Sequence, residues 1–320
     1  MTGSTALKDS RRALVGWSLA VVYLVWGSTY LALRYGLEGF PPLLMNGMRL
    51  VVAGAALYLI ARRRGREHPT AVEWRNAAFT GTILFIGGLG FVTIAEDNGV
   101  GSGLVASAVA VMPLWAALWS GVFGRWPTRL EWAGLGVGLT GVVMLSREGD
   151  FQGSLIGTVL MVLSPILWAF GSVMSSRLRL PSGLMASAAQ MFAGGIFLTV
   201  AGLLRGEEIV GTPSLKAWLA VAYLAVFGSL LAYTAYAYLL ANTRPAVATS
   251  YAYVNPVVAV VLGVTLGDEA IGGWTYAGLP IILLGVALVG LAQRRRTVVA
   301  RGMGTQDASA AAIAARTSSR

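Results

Sequence analysis

One arginine, Arg49, lies inside residues 41–61, PPLLMNGMRLVVAGAALYLIA, a run that is otherwise almost wholly apolar and ends against Arg62, Arg63, Arg64 and Arg66. On a helix rising about 1.5 Å per residue, Arg49 stands roughly 12 Å from Pro41 and roughly 20 Å from Arg62. A guanidinium at that depth of a membrane costs about 2.5–3.5 kcal/mol on insertion scales, so it must face a partner or a water-filled cavity. The chemistry it offers is capture of an anionic group such as a carboxylate. The alternative is a structural arginine that bonds helix carbonyls or reaches outward toward Glu38. Asn46, three residues earlier, shares its face and its fate.

Other residues extend the pattern. Tyr233, Tyr251 and Asn255 place hydroxyl and amide groups at depths where lipid offers them no partner, so a cavity is the natural place for them. Trp26 and Trp168 are suited to wall such a cavity for an amphipathic substrate, packing or lipid exposure being the alternative. Pro113 and Pro256, each near the middle of an apolar span, free the carbonyls of Val109 and Ala252. Freed carbonyls in a membrane are tolerated where protein or a lined pathway supplies donors, so this pair is read as lining one. Pro165 interrupts a third span.

What is missing excludes other chemistry. The chain has no cysteine and a single histidine, His68, in a loop, so thiol catalysis and a histidine-based metal or acid/base site are ruled out. GVGLTG, residues 136–141, satisfies G-x-G-x-x-G but lies inside an apolar span and follows no strand; Gly134 and Gly138 have instead the spacing of close helix packing. No Walker motif is present. The chain is read as a non-enzyme that needs no cofactor and no metal.

The elements that must hold these residues follow from composition. Of 320 residues, 56% are hydrophobic and 12% charged, too few charges to clothe a soluble domain. Ten apolar windows, each long enough to cross about 30 Å of hydrocarbon, fall near 13–33, 41–61, 76–95, 102–123, 130–146, 155–174, 183–204, 216–240, 246–266 and 274–292. Alternation of period two is absent, so these are helices and not barrel strands. The fold class expected is an all-α membrane protein. The first window follows Lys8, Arg11 and Arg12 in the manner of a signal peptide, but its length and the lack of a cleavage site favour a retained helix.

A net charge of +10 would suggest nucleic acid in a soluble protein. Here the basic residues collect in alternate loops: Arg62, Arg63, Arg64, Arg66 and Arg75, then Arg125 and Arg129, Arg177 and Arg179, Arg244, and the C-terminal tail. The other loops hold Arg34, Arg147, Arg205 and Lys216 beside most of the acids. The positive-inside rule then places both termini in the cytoplasm, and nucleic-acid binding is not expected.

Self-comparison at a shift of about 143 residues superposes SAVAVMPLWAALWSGVFG, from Ser107, on SYAYVNPVVAVVLGVTLG, from Ser250, with Pro113 over Pro256. Trp26 with Gly27 and Ser28 resembles Trp168 with Gly171 and Ser172. Arg49 falls close to Gln190, polar but neutral, which joins the candidate site residues. The chain divides into a tail (1–12), a first repeat (13–148), a second repeat (153–292) and a basic tail (293–320); residues 1–10 and 297–320 are expected to be mobile. Five helices per repeat force the second copy upside down. The basic GRWPTRLE and its acidic counterpart GDEAIGG agree with that inversion.

The two five-helix halves, with WGSTYLALRYGLEGFPPLLMNGMR and NPVVAVVLGVTLGDE, resemble the two EamA domains of the drug/metabolite transporter superfamily. GSVMSSRLRLPSGLMA and RPAVATSYAYVNPVVAVVLG are similar to the subgroup of YedA-type inner-membrane exporters. The resemblance covers about residues 14–292 and implies an inner-membrane exporter of small metabolites or drugs without a nucleotide-binding domain. One departure is Gly267-Asp268-Glu269, where the family reads Gly-Glu.

The reading that results is a secondary transporter of small amphipathic molecules working by alternating access. Alternatives are a facilitated-diffusion uniporter or channel for amino acids or related metabolites and, remotely, a membrane-embedded enzyme. Its partners are a small-molecule substrate and the lipid bilayer; a homodimer is compatible with the sequence. All fourteen carboxylates map to loops, tails or helix ends, Glu96 among them, which leaves proton coupling open.

Overall fold

The computed structural model describes residues 2–98, 105, 108–146 and 154–266, and beyond these residues 273–274, 276–278, 280–285, 287–289 and 291–292. The acidic loop 267–272 and the tail 293–320 lie outside the described residues. No strand occurs among the described residues. The helices are α1 (Thr2–Leu37), α2 (Pro42–Arg63), α3 (Ala71–Asp97), α4 (Met112–Val122), α5 (Arg129–Ser146), α6 (Leu155–Ser175), α7 (Leu184–Leu204), α8 (Leu215–Asn242), α9 (Tyr251–Leu266) and α10 (Tyr276–Val289). Among the described residues six are long and apolar enough to cross a membrane: α1 from Arg12 onward, α2, α3, α6, α7 and α8. These answer to six of the ten spans read from sequence. Residues 2–11, expected as a tail, continue α1 as helix.

Local chemistry sets the boundaries. Pro42 opens α2 behind an extended Pro41, the position where a missing N–H costs nothing. Thr70 and Glu73 form a capping box on α3, as Thr128 and Glu131 do on α5. Ser154 and Ser214 cap α6 and α8 through the amides of Gly157 and Ala217. Left-handed glycines at Gly65, Gly124 and Gly206 follow the ends of α2, α4 and α7.

Two seams of glycine reveal how the halves meet. Along α5 and α10, Gly134 lies against the Gly285 carbonyl and Gly141 against the Gly278 carbonyl, so an added Cβ would sit 3.0 and 2.8 Å from those oxygens. Residues 144 apart thus exchange partners, and numbers rise on one helix as they fall on the other. Only a two-fold axis perpendicular to both helices does that. The second seam repeats it: on α2, Gly47 meets Thr199 and Gly54 meets Phe192, while on α7 Gly195 meets Val51 and Gly202 meets Leu43. With the helices crossing a bilayer, the axis lies in its plane, which is the inversion read from the odd helix count.

The remaining contacts obey the same symmetry. α1 packs on α8 and α9, and its counterpart α6 packs on α3 and α4. Each repeat therefore closes on elements of the other. Within α3, residues Ile83–Gly90 are wound as π-helix, and within α8 so are Leu224–Tyr233. Their starts lie 141 residues apart, so this departure from α geometry is itself duplicated. Such segments recur at functional sites because the wider turn unseats backbone carbonyls.

Candidate functional site

The two π-helical segments face one cavity. A cavity of about 90 Å³, open at its mouth, lies between α1, α2, α3, α6, α8, α9 and the start of α4. The π-helical carbonyls are taken up across the repeat boundary: Trp26 Nε1 on α1 donates to Gly228 O at 3.0 Å, and Ser164 Oγ on α6 donates to Gly88 O at 2.8 Å. Gly88 is needed there because a Cβ would collide with the Trp168 ring.

Aromatic rings make the walls. Trp26 meets Tyr251 edge-on with centroids 4.5 Å apart and Trp168 edge-on at 5.6 Å; Phe85 and Tyr233 approach to 4.9 Å. These are the offset and T-shaped arrangements that the ring quadrupole favours. Most polar tips are already engaged. Trp168 Nε1 donates to the Tyr236 hydroxyl at 3.1 Å, and that hydroxyl also meets Ser172 Oγ. Tyr233 donates to Gln190 Oε1 at 3.1 Å and Tyr251 to Met112 Sδ at 3.3 Å.

Two residues of the lining carry polar atoms without a partner. Arg49 is 6% exposed, and its Nε and Nη1 have no hydrogen-bond partner. It is the one charged residue among the described lining residues, and no carboxylate pairs with it. Asn255 is 2% exposed; it meets the Tyr30 hydroxyl, and its Oδ1 is left without a donor. A buried guanidinium and a buried carbonyl oxygen with nothing to bond are each costly. The arrangement leaves donors on Arg49 and an acceptor on Asn255 unmet among the described residues.

Of the residues singled out from sequence, Trp26, Arg49, Trp168, Tyr233, Tyr251 and Asn255 come together in the lining. Asn46 and Gln190 do not. Asn46 is buried between α2 and α3, donating to Pro42 O at 2.8 Å and Thr93 Oγ1 at 2.9 Å. Gln190 donates to Thr80 and Ser175, both at 2.8 Å, and accepts from Tyr233. Pro256 sits inside α9, whereas Pro113 falls in the first turn of α4, after a turn at Ala110–Val111. Neither proline lines the cavity; the residues just before them, Met112 and Asn255, do. Sequence reasoning missed Tyr30, Phe85, Ser164 and Ser229. The signal that would have found two of them is the pair of glycine-bearing mid-span stretches FIGGLG and VFGSLL, related by the same internal shift.

The ends of the bundle are tied differently. Where α1 meets α2, Glu207 accepts from the amides of Leu43 and Leu44, both at 2.9 Å, an acid at a helix N-terminus, and Lys216 pairs with Glu38 at 2.9 Å on the surface. At the opposite end the buried Glu131 pairs with Arg244, joining the start of α5 to the link between α8 and α9. Arg177 there donates to Phe123 O at 2.6 Å and lies over its ring.

The sequence profile of the EamA-like transporter family matches this chain twice, over residues 15–147 and 155–291. The chain belongs to that family. It is 45% identical over 274 residues to the uncharacterized inner membrane transporter YedA of Escherichia coli K12, covering 86% of this chain and 90% of YedA. It is 25% identical over 285 residues to a probable amino-acid metabolite efflux pump of Salmonella typhimurium, covering 85% of this chain and 93% of the pump. A solved crystal structure 21% identical in sequence superposes with a TM-score of 0.72, covering 89% of this chain and 99% of that one, which supports the fold. This EamA protein is thus a multi-pass membrane transporter of the drug/metabolite superfamily.

Proposed function

We propose that this transporter is a secondary carrier exporting small amphipathic metabolites or drugs across the bacterial inner membrane by alternating access, with both termini in the cytoplasm. The observation that carries the reading is Arg49, buried in the wall of an aromatic cavity shared by both repeats and without a partner. An anionic group on the substrate gives the guanidinium its partner, while the rings of Trp26, Trp168 and Phe85 take the apolar body. Truncating one partner of a buried charge pair of this kind costs about 2–5 kcal/mol, much of it the penalty of leaving the other charge unpaired. The two-fold between the halves gives the rest: a site at the repeat interface is reached from either face by rocking one half against the other. The collection of basic residues in alternate loops supports placing those loops in the cytoplasm. The Salmonella relative, named for efflux of amino-acid metabolites, supports small metabolites as cargo.

A metabolite-export screen with and without expression, followed by counterflow in proteoliposomes, tests the reading. Counterflow is expected of a carrier and not of a channel. Arg49→Ala is expected to abolish export of anionic substrates with membrane insertion unchanged. Export that persists in that variant would leave Arg49 a structural arginine.

A further inference from the structure

Glu96 is a buried ionisable group that the reading above leaves unused. Both of its carboxyl oxygens are buried and neither has a hydrogen-bond partner. It stands on α3 one turn beyond Val92, which lines the cavity, and next to Asp97, which is exposed. Asp97 lines a second, polar pocket together with Glu38, Arg205, Glu207 and Glu208, at the end of the bundle that the loop charges place outside. Along α3, then, Glu96 lies between the central cavity and that outer pocket.

None of the groups around it pairs with a charge there. Residues 91–97 pack chiefly on α6, which has no ionisable residue, and more lightly on α2 and α1. α2 brings Arg49 to the cavity, but its Nε and Nη1 have no partner and it makes no ion pair with Glu96. α1 brings Tyr30, within electrostatic reach of Glu96 and in contact with Asn255, and also Arg34, which is exposed. A carboxylate in this setting is a buried charge without a counter-ion, whereas the acid is a neutral polar group without a partner, and the first costs far more. That cost falls away once the outer end of α3 is wetted.

On the carrier reading above, we infer that Glu96 is a proton-binding site that holds its proton while the outer mouth is shut and gives it up when that mouth opens to water. The proton is thereby a ligand of the shut form, and its removal shifts the population toward the outward-open one. Tyr30 carries the effect to the substrate site, since it feels Glu96 on one side and meets Asn255 in the lining on the other.

The chain has no cysteine, so a single one placed in the lining reports access without background. Ser229→Cys in the full-length protein is treated with a charged, membrane-impermeant thiosulfonate from the outer face of spheroplasts and, separately, from the inner face in inverted vesicles, with Thr29→Cys as a second placement should the first fold poorly. Thiol reactivity itself rises with pH, so each rate is divided by that of the same cysteine in Glu96→Gln, whose amide stands in for the protonated acid. From about pH 5 to about pH 9 the outer-face ratio is expected to rise about tenfold or more. Glu96→Asp, which still ionises, is expected to keep that rise. A ratio that stays flat or falls would overturn this inference and leave the carrier reading standing, and so would a rise that Glu96→Asp abolishes, which marks a structural side chain. Labelling of neither cysteine from either face at any pH, in folded protein, would overturn the carrier reading as well.

Discussion

Arg49 on α2 and Gln190 on α7 hold corresponding places in the two repeats, and they are treated in opposite ways. Gln190 makes three hydrogen bonds, to Thr80, Ser175 and Tyr233, that tie α7 to α3, α6 and α8. Arg49, equally buried and with more donors, makes none through Nε or Nη1. A duplicated scaffold has kept its backbone symmetry, visible in both glycine seams and both π-helical segments, while the load on each half has diverged. One position is spent on cohesion and the other is held open. Burial and polarity are shared by the two; what differs is the count of satisfied partners.

Substitutions sharpen or break that contrast. The largest effect is expected in the seam: Gly54→Ala puts a Cβ 2.5 Å from the Phe192 amide nitrogen and 2.8 Å from its Cα, backbone that cannot swing away. A loss of about 3 kcal/mol or more, seen as a lower thermal midpoint and poor recovery of monodisperse protein, is expected. Gln190→Leu comes next. It strands the Tyr233 hydroxyl and takes a donor from Thr80 and Ser175, which keep their bonds to Asn76 O and Gly171 O, and about 1–3 kcal/mol of stability should go with it. Ser172→Ala removes one bond to Tyr236 and is expected to cost about 1 kcal/mol. Lys216→Met, at the exposed pair with Glu38, should change stability by less than about 1 kcal/mol, and by less still at high salt. At the end of the series stands Arg49→Gln, expected to leave the thermal midpoint unchanged or to raise it, because an unpaired buried charge is removed. A destabilisation there as large as that of Gln190→Leu would collapse the comparison.

Much of the architecture was legible because membrane insertion makes it so. An unbroken apolar stretch of the right length declares its own helix, and α2, α6 and α7 begin and end within about two residues of the sequence reading. Proline at Pro42 and the arginines from Arg62 onward are local signals and do not depend on neighbours. The inversion was also readable, since it follows from an odd helix count and the charges of equivalent loops. The π-helical segments were not. They depend on which ring presses on which turn, Trp168 on Gly88 and Trp26 on Gly228, and no local propensity encodes that contact. For the same reason Pro113 and Pro256, matched in sequence, part company in structure: a turn at Ala110–Val111 puts Pro113 at a helix start while Pro256 stays interior. Asn46 and Gln190 were singled out as polar groups at depth, and only the identity of their partners shows that each is bonded within the bundle.

The ion pair between Glu131 and Arg244 has a consequence for energetics. Two identical halves placed upside down would make the inward-facing and outward-facing forms degenerate, each the other turned over. The positions matching Glu131 and Arg244 in the opposite repeat are Thr275 and Gly101, which carry no charge. The salt link thus has no charged counterpart at the matching positions of the sequence, while the other end of the bundle is tied by a different pair, Lys216 and Glu38. Two ends held by different ion pairs are not exchanged by turning the molecule over, so the degeneracy of an identical pair of halves is broken.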